Sequence, residues 1–425
     1  MAPSRTERAV IVGAGLAALR AAEAMRAAGF SGPLAVVGDE PYRPYDRPPL
    51  SKHVLTGETP PDATALPGRP GLALDWHLGV PAARLDRTAQ EVHLADGRAL
   101  PYDRLLIATG TRARPWPNPH EGRMPGVFTL RGRDDAAALR AALAAGPRRV
   151  VVIGAGFIGC EVARVCRSLG LPATLVDPGP TPLARVLGST VGGVVGALLR
   201  EDGVDLRFGA QVEWLEDEGG RLVRAHLTDG TRIEAEVAVV ALGAVRNTAW
   251  LTGSGLSADP GGVDCDADGH VLDADGRPDP RIAAAGDVAR FPHPLYDGRR
   301  VALEHWGHAE AQAVHAGRLL AGDRPDAPYS AMPTFWSMQG DVMVKSVGLT
   351  DGADAVAIAY GDLAARRFVA LYGRAGRCIA AVSVDCARWL PACAELIAAR
   401  APFPPDGAAV DRNARSLDIL APGLP

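Results

Sequence analysis

Two glycine-rich turns constrain the fold of this chain more than any other feature. Residues 150–163 read VVVIGAGFIGCEVA, and residues 10–18 read VIVGAGLAA. In both, a short apolar strand runs into a glycine turn and then into a helix-compatible segment, which brings backbone N–H groups and the positive end of a helix to one point. One such turn is weak support for a dinucleotide site, but two copies predict two dinucleotide-binding folds.

The glycines of these turns have separate tasks. Gly154 permits the sharp turn, Gly156 lets the backbone approach a pyrophosphate, and Gly159 lets the helix pack closely on the strand. Gly13 and Gly15 open the earlier turn, whose third glycine is replaced by alanine. Small residues at all these positions predict a pyrophosphate beside each helix start.

An acidic residue follows the second strand of each unit. Asp39 is our choice in the first unit, with Glu40 as the alternative, and either can accept hydrogen bonds from the ribose of an adenosine. Asp177 lies 23 residues after Gly154 and favours NAD over NADP, because a carboxylate repels a 2′-phosphate. Arg185 lies nearby and can instead meet that phosphate, so the alternative stays open.

Composition narrows the class of protein further. The chain has 425 residues, suits two or three domains, and carries a net charge of −4 with no basic run, which argues against nucleic acid or a membrane as partner. Its apolar runs are too short for a membrane span, and its first residues lack the apolar core of a signal peptide, so we expect a cytoplasmic protein. Six scattered cysteines form no metal-ligand spacing, which predicts free thiols and no metal.

The order of short motifs along the chain resembles that of a known protein family. After the first glycine turn come PYDRPPLSK, an ATG turn, the second glycine turn, AAGD, LEHW and FWSMQ. This order resembles the ferredoxin reductases of bacterial monooxygenase and dioxygenase systems, of the putidaredoxin reductase and biphenyl-dioxygenase reductase types. PYDRPPLSK and FPHPLYDGRRVALEHW are specific to that subgroup, and the resemblance covers nearly the whole chain.

The resemblance implies an α/β protein with a glutathione-reductase-like architecture: two Rossmann-like dinucleotide-binding domains and a small C-terminal α+β domain. FAD is expected in the first domain, NADH in the second, and a docking surface for a small iron–sulfur protein beside the third. The expected boundaries are 1–113 and 245–324 for the FAD-binding domain, 114–244 for the NAD-binding domain, 325–405 for the C-terminal domain and 406–425 for a tail.

Site residues follow from the same resemblance, position by position. The implied FAD contacts are Gly13, Gly15, Ala17, Asp39, Lys52, Arg131, Asp287 and Trp306. The NADH contacts, from the resemblance and the glycine turn together, are Gly154, Gly156, Ile158, Gly159, Glu161, Asp177, Arg185, Gly243 and Glu304. Lys52 is expected to be the electrostatic partner of the flavin N5, and Trp336 the aromatic residue beside the flavin.

The sequence departs from the family in two places. Met338 stands where the family usually has an aspartate after the FW-S pair, and His308 stands where it usually has an asparagine in the LEHW helix. An apolar, oxidisable side chain therefore replaces a carboxylate near the flavin edge or the docking face.

The implied reaction takes a hydride from NADH onto FAD and passes single electrons to a [2Fe–2S]-type or similar ferredoxin that feeds a haem-thiolate monooxygenase or a dioxygenase. A monomer or weak dimer is expected. No cysteine precedes Cys160, which argues against disulfide reductase chemistry. Two alternatives remain: an NADH oxidase or dehydrogenase acting on a small molecule or quinone, which Met338 favours, and an NADH-binding redox sensor of the apoptosis-inducing-factor type.

Overall fold

The computed structural model describes residues 6–323 and 326–405, and the backbone of 419–420. The chain forms two compact units. The first contains the described residues up to Asp46, Thr64–Arg112 and Val245–Ala331, and the second contains Arg47–Ala63, Ala113–Ala244 and the described residues from Met332 onward. The α-helices of the described residues are α1 (Leu16–Ala27), α2 (His53–Thr56), α3 (Arg133–Ala144), α4 (Phe157–Ser168), α5 (Ala184–Glu201), α6 (Trp306–Leu320) and α7 (Leu390–Ala398).

A six-stranded sheet forms the centre of the first unit. Its strands lie in the spatial order His270–Leu272, Pro278–Ala284, Arg104–Ile107, Ala9–Val12, Leu34–Gly38 and Leu74–Leu78. The apolar strand Ala9–Val12 is buried and pairs in parallel with both neighbours, as expected for a sheet covered by helices. Helices α1 and α6 pack against each other through small residues, because a side chain at Gly317 would lie 2.5 Å from the Ala21 carbonyl oxygen.

Two smaller antiparallel or mixed sheets complete the first unit. One contains Ala82–Asp86, Glu91–Leu94 and Ala99–Pro101, and the other contains Ala258–Asp259, Gly262–Asp264, Ala289–Pro292 and Arg300–Val301. The unit boundaries at 112/113 and 244/245 fall within two short strands, Thr111–Ala113 and Ala244–Arg246.

The second unit repeats the parallel arrangement. Its five-stranded sheet has the order Asp205–Phe208, Ala173–Asp177, Val150–Ile153, Val237–Val240 and Val127–Phe128. The central strand, VVVI, is fully buried and pairs in parallel on both sides. A three-stranded antiparallel sheet of Val212–Glu218, Arg221–Leu227 and Arg232–Glu234 packs its apolar face into the same core.

The last part of the second unit is a six-stranded antiparallel sheet, called the C-terminal sheet below. Its order is Thr334–Gln339, Val342–Gly348, Arg377–Val384, Arg367–Arg374, Ala355–Asp362 and Ile419–Leu420. Helix α7 covers one face through Leu390, Cys393 and Ile397. The α/β class with two Rossmann-like sheets and a C-terminal α+β region is confirmed. The exact domain boundaries stay predictions, and most of the predicted tail lies outside the described residues.

Local expectations differ from the structure in two segments. The prolines of residues 41–52 predict a stiff, extended segment, but Pro48–Ser51 form a 3₁₀ turn that leads into α2. Proline suits the first positions of a helical turn, where its fixed φ is already helical and its missing N–H is not needed. The sequence pattern of residues 301–320 predicts one helix, but the helix begins only at Trp306, and Arg300–Val301 instead pair with the strand Ala289–Pro292. No helix among the described residues is both long and apolar enough to cross a membrane.

Candidate functional site

The first glycine turn joins the strand Ala9–Val12 to α1. Gly13 has φ +116°, and a side chain there would lie 2.1 Å from the Ala108 carbonyl oxygen, so only glycine fits. A Cβ at Gly15, by contrast, would have no atom within 4 Å, so the loop faces open space at this position. Helix α1 has no capping side chain and no acid in its first turn, which leaves its first N–H groups directed at that space.

Two acidic residues, Asp39 and Asp287, lie near this turn because the glycine that precedes each of them packs against it. A Cβ at Gly38 would lie 2.5 Å from the Ala14 Cβ, so the chain passes against the turn just before the exposed Asp39. A Cβ at Gly286 would lie 3.3 Å from the Ala17 Cβ, so the backbone just before Asp287 passes close to α1. An open glycine, a helix start and two acids fit a dinucleotide whose phosphates and hydroxyls need these partners.

Side chains around Asp287 fix its position. Thr111 Oγ1 donates to Asp287 Oδ2 at 3.2 Å, and Arg246 Nε donates to the Asp287 carbonyl at 3.0 Å. Arg246 also pairs with Glu304 at 3.1 Å. Trp306, at the start of α6, donates its indole N–H to Asp46 at 2.8 Å. These predicted contact residues all belong to the first unit.

The second glycine turn repeats this geometry. Gly154 has φ +103°, and a Cβ there would lie 2.5 Å from the Ala241 carbonyl oxygen. A Cβ at Gly159 would lie 1.9 Å from the Gly154 carbonyl oxygen, which explains the close packing of α4 on the turn. A Cβ at Gly156 would meet nothing within 4 Å, and α4 has neither a capping side chain nor an acid in its first turn. The second turn therefore also fits a pyrophosphate.

Asp177 holds the middle of that turn. Its Oδ2 accepts the Ala155 N–H at 2.7 Å, and its Oδ1 accepts the Gly179 N–H at 2.7 Å. The Ala155 carbonyl accepts the Leu183 N–H at 2.9 Å, so the peptide groups on both sides of Ala155 are bonded. Carboxylate oxygens accept more than one bond each, so Asp177 still has acceptor capacity for a ribose hydroxyl.

Three further predicted NADH contacts lie exposed in the second unit. Arg185 is exposed in the first turn of α5, and Ile158 is 40% exposed in the first turn of α4. Gly243 is exposed beyond the strand Val237–Val240, with φ +87°.

A buried charge cluster lies on α4. Glu161 is only 6% exposed, and its Oε2 receives the Lys52 ammonium at 2.7 Å and the Ser51 hydroxyl at 2.5 Å. Its Oε1 accepts the Ser337 hydroxyl at 2.8 Å, and Ser337 in turn accepts from the fully buried Gln339 amide at 2.8 Å. Both carboxylate oxygens of Glu161 therefore have partners, as a buried carboxylate requires.

Trp336 lies in the strand Thr334–Gln339 and is 47% exposed. Its neighbour Phe335 contacts Phe157, the first residue of α4, with ring centroids 5.0 Å apart. Met338 pairs across the strands with Met343. The strand thus places Ser337 on Glu161 while Trp336 is exposed, as alternation along a strand requires.

Arg131 contributes through its backbone in the described contacts. Its N–H donates to Asp135 at 2.8 Å, at the start of α3, and its carbonyl accepts from Arg47 at 2.9 Å.

His308 is buried in the first unit. Its ring stacks on Phe291 with centroids 5.4 Å apart, and its Nδ1 lies 3.0 Å from the Tyr329 hydroxyl. Burial, assisted by nearby His305 and opposed by Asp287, lowers the pKa of His308 to about 4. The imidazole is therefore neutral at pH 7.

Sequence reasoning missed some of the structural partners at these sites. Ser51 and Ser337 bond Glu161 from 110 and 176 residues away, so no local pattern connects them. Ser51 does adjoin Lys52 in the LSK motif, and Ser337 adjoins Trp336, which is the only signal that pointed toward them. No sequence pattern predicted the hydrogen bond from the Leu183 N–H to the Ala155 carbonyl in the glycine turn.

Comparisons with known proteins define the class. Residues 7–313 match the pyridine nucleotide-disulphide oxidoreductase family, and residues 334–417 match the reductase C-terminal family. The chain belongs to the pyridine nucleotide-disulphide oxidoreductase family, and its cofactors are FAD and NAD(H).

Particular relatives narrow this class. The chain is 39% identical to rhodocoxin reductase of Rhodococcus erythropolis, over 81% of this chain and 79% of that protein. It is 38% identical to the ferredoxin–NAD(+) reductase component of the anthranilate 1,2-dioxygenase system of Burkholderia cepacia, over 92% and 94%. Among solved structures, it matches the covalent putidaredoxin reductase–putidaredoxin complex with TM-score 0.87 and 33% identity, over 96% of both chains.

Proposed function

We propose that this protein is an FAD-dependent NADH:ferredoxin reductase. It oxidises NADH and delivers single electrons to a small [2Fe–2S]-type or similar ferredoxin, which serves a haem-thiolate monooxygenase or a dioxygenase. The observation that carries the proposal is the presence of two separate glycine turns, each with an open glycine, Gly15 or Gly156. Two dinucleotide sites suit a protein in which one dinucleotide gives electrons and the other relays them. The relatives named above are reductases of this kind.

The chain's own residues bind and orient the two dinucleotides. Bound FAD supplies the chemistry: it accepts a hydride and releases its electrons one at a time. The proposed FAD contacts are Gly13, Gly15, Ala17, Asp39, Lys52, Arg131, Asp287 and Trp306. The proposed NADH contacts are Gly154, Gly156, Ile158, Gly159, Glu161, Asp177, Arg185, Gly243 and Glu304.

Lys52 is proposed to provide positive charge at the flavin N5. Its ammonium is held by the Pro48 carbonyl at 3.2 Å and by Glu161 at 2.7 Å, so its side chain is oriented rather than free in solvent. A preorganised cation stabilises developing negative charge without the cost of reorienting during the reaction. The Ser51 and Ser337 hydroxyls orient Glu161, and through it Lys52.

Trp336 is proposed to lie beside the flavin on the electron-exit side. It is the most exposed of the large apolar side chains in the described residues, while the residues before and after it in the strand are more buried. An exposed aromatic side chain on a rigid strand suits a surface that a protein partner covers.

Cysteine chemistry does not account for the activity. All six cysteines are free and buried, and burial raises the pKa of Cys166 and Cys265 to about 12. A thiol with such a pKa is protonated at neutral pH and is a poor nucleophile. Free thiols also fit a reducing compartment, which supports a cytoplasmic location.

Reduction of cytochrome c by NADH, with and without an added [2Fe–2S] ferredoxin, tests the proposal. Strong dependence on ferredoxin supports it. Fast turnover with oxygen or a quinone alone would instead indicate an NADH oxidase or dehydrogenase. A long-lived charge-transfer complex with negligible turnover would indicate a redox sensor.

A further inference from the structure

Helix α5 is interrupted near its start. Gly188 has φ 73° and ψ 166°, so residues 184–187 form a separate helical turn before the rest of the helix. Such a break removes the helical partners of the carbonyl groups that precede it, and these groups need other donors.

Two side chains donate to carbonyls of this turn: Tyr372, in the strand Arg367–Arg374 of the C-terminal sheet, and Thr350, which follows the strand Val342–Gly348. The Tyr372 hydroxyl donates to the Leu187 carbonyl at 2.5 Å, and the Thr350 hydroxyl donates to the Val186 carbonyl. Tyr372 is 1% exposed, and burial raises the pKa of its hydroxyl, which therefore remains a donor throughout the neutral range.

The same short turn is bonded to the second glycine turn. Leu183, directly before α5, adopts φ 57°, a left-handed conformation that is strained for leucine. In that conformation its N–H donates to the Ala155 carbonyl at 2.9 Å, while Asp177 accepts the Ala155 N–H. Arg185 follows Leu183 by two residues and is exposed. Contacts from both sides therefore hold residues 183–187.

We infer that Tyr372, assisted by Thr350, is a positioning residue for NAD(H). From the C-terminal sheet it fixes the helical turn 184–187, which sets the Leu183–Ala155 bond and the place of Arg185. The same sheet carries Trp336, so one sheet supports both the dinucleotide turn and the proposed exit residue. This inference rests on the proposed function in one respect: the ligand of the second glycine turn is NAD(H).

Titration calorimetry of NAD⁺ into the FAD-loaded protein tests the role. In Tyr372→Phe the ring stays and only the hydroxyl is lost, so the Leu187 carbonyl loses its buried donor. We expect the Kd for NAD⁺ to rise about 5-fold or more, since an unsatisfied buried carbonyl weakens the turn it belongs to. Titration with 5′-AMP should show the same rise, because the effect acts at the adenosine end. With ferricyanide as acceptor, the KM for NADH should rise while kcat stays within about 2-fold.

Hydrogen exchange gives a readout that does not depend on activity. The Leu183 amide should exchange faster in Tyr372→Phe, because its bond to Ala155 is no longer held in place. Thr350→Val, at a partly exposed position, should produce a smaller change of the same kind and provides the test if Tyr372→Phe folds poorly.

The matched control is Arg366→Gln. Arg366 pairs with Glu201 at the far end of α5, so this variant loosens the same sheet from the same helix away from the glycine turn. Its Kd for NAD⁺ should match that of the wild type. Equal rises in the Kd for NAD⁺ in Arg366→Gln and Tyr372→Phe, or an unchanged Kd in Tyr372→Phe, would overturn this inference but not the proposed function. A wild-type protein that binds no NAD⁺ would overturn the proposed function as well.

Discussion

The ammonium group of Lys52 lies 2.7 Å from a carboxylate oxygen of Glu161, a residue that is 6% exposed. Two serine hydroxyls, from Ser51 and Ser337, complete the bonds of the same carboxylate. A buried pair of this kind contributes little net stability when intact but is costly to break, because the remaining charge is left without its partner.

We therefore expect Lys52→Met to lower the free energy of unfolding by about 3 kcal/mol. Glu161→Gln should also destabilise the protein, and the double variant should lose less than the sum of the two, with a coupling of about 1–3 kcal/mol. Urea unfolding followed by circular dichroism measures all four corners of the cycle.

Arg148→Met is the control for that cycle. Arg148 pairs with Glu236 in the same unit, but its side chain is 87% exposed. Its removal should change the free energy of unfolding only slightly, because solvent screens an exposed ion pair. A Lys52→Met variant no less stable than Arg148→Met would contradict a buried, tightly coupled pair.

The glycine turns provide a second prediction, because neighbouring glycines have opposite surroundings. Gly154→Ala should destabilise the second unit strongly, since its φ is +103° and its Cβ would lie 2.5 Å from a backbone oxygen. Gly156→Ala should change stability by less than about 1 kcal/mol, because its φ is −74° and its Cβ meets no protein atom.

Gly156→Ala, which should hardly change stability, should nevertheless weaken NAD⁺ binding. Folded Gly156→Ala should bind NAD⁺ at least about 10-fold more weakly, since the methyl group occupies space next to the pyrophosphate. Thermal unfolding and calorimetry on the same preparation separate the two quantities. Normal NAD⁺ affinity in Gly156→Ala would place the pyrophosphate elsewhere.

These turns were predictable from sequence, whereas the Glu161 cluster was not. The tasks of Gly154 and Gly156 are set by a strand, a turn and a helix that follow one another directly, so local pattern suffices. Ser337 meets Glu161 only because a strand of the C-terminal sheet packs against α4, as its neighbour Phe335 does on Phe157. Contacts between residues so far apart in sequence depend on packing, which periodicity does not encode.

The start of α5 shows the same limit. The sequence predicts a helix over Val191–Glu201 and none over residues 184–190, where Gly188 has low intrinsic helix propensity. The structure begins the helix at Ala184, with the kink at Gly188. Tyr372 and Thr350 supply tertiary hydrogen bonds that offset the weak local propensity.

Asp177 gives a third prediction, on cofactor choice. Asp177→Ala removes the acceptor of the Ala155 N–H and the charge that repels a 2′-phosphate. Steady-state kinetics should show kcat/KM for NADH falling about 10-fold or more, with NADPH affected less, so that the NADH/NADPH ratio falls. An unchanged ratio would assign the choice of cofactor to Arg185 instead.

Trp336 gives a fourth prediction, on the electron acceptor. Trp336→Ala should leave the free energy of unfolding within about 0.5 kcal/mol, because the side chain is 47% exposed. Ferredoxin-dependent cytochrome c reduction should slow at least about 5-fold, as expected for an aromatic anchor, while ferricyanide reduction changes little. The control is Trp214→Ala, a similarly exposed tryptophan on another sheet of the same unit, which should leave both rates unchanged.

The last prediction concerns acid stability and His308. Burial lowers the pKa of this imidazole from its ordinary 6.5 to about 4, so the unfolded chain binds a proton that the folded protein does not. The stability that this neutral form contributes is fully present above pH 6.5 and is lost as pH falls toward 4. His308→Asn should therefore flatten the fall in unfolding free energy between pH 7 and pH 4.5 by about 1–3 kcal/mol.

A neighbouring variant separates the titration from the packing. Tyr329→Phe removes the hydroxyl that lies 3.0 Å from His308 Nδ1, yet the imidazole remains buried against Phe291. This variant should lower the free energy of unfolding by a similar amount at every pH, so the slope of that free energy against pH should not change. His293, His305 and His315, whose pKa values burial also lowers, provide the same background in both variants. Equal slopes of unfolding free energy against pH in His308→Asn and the wild type would show that His308 does not titrate as a buried neutral group.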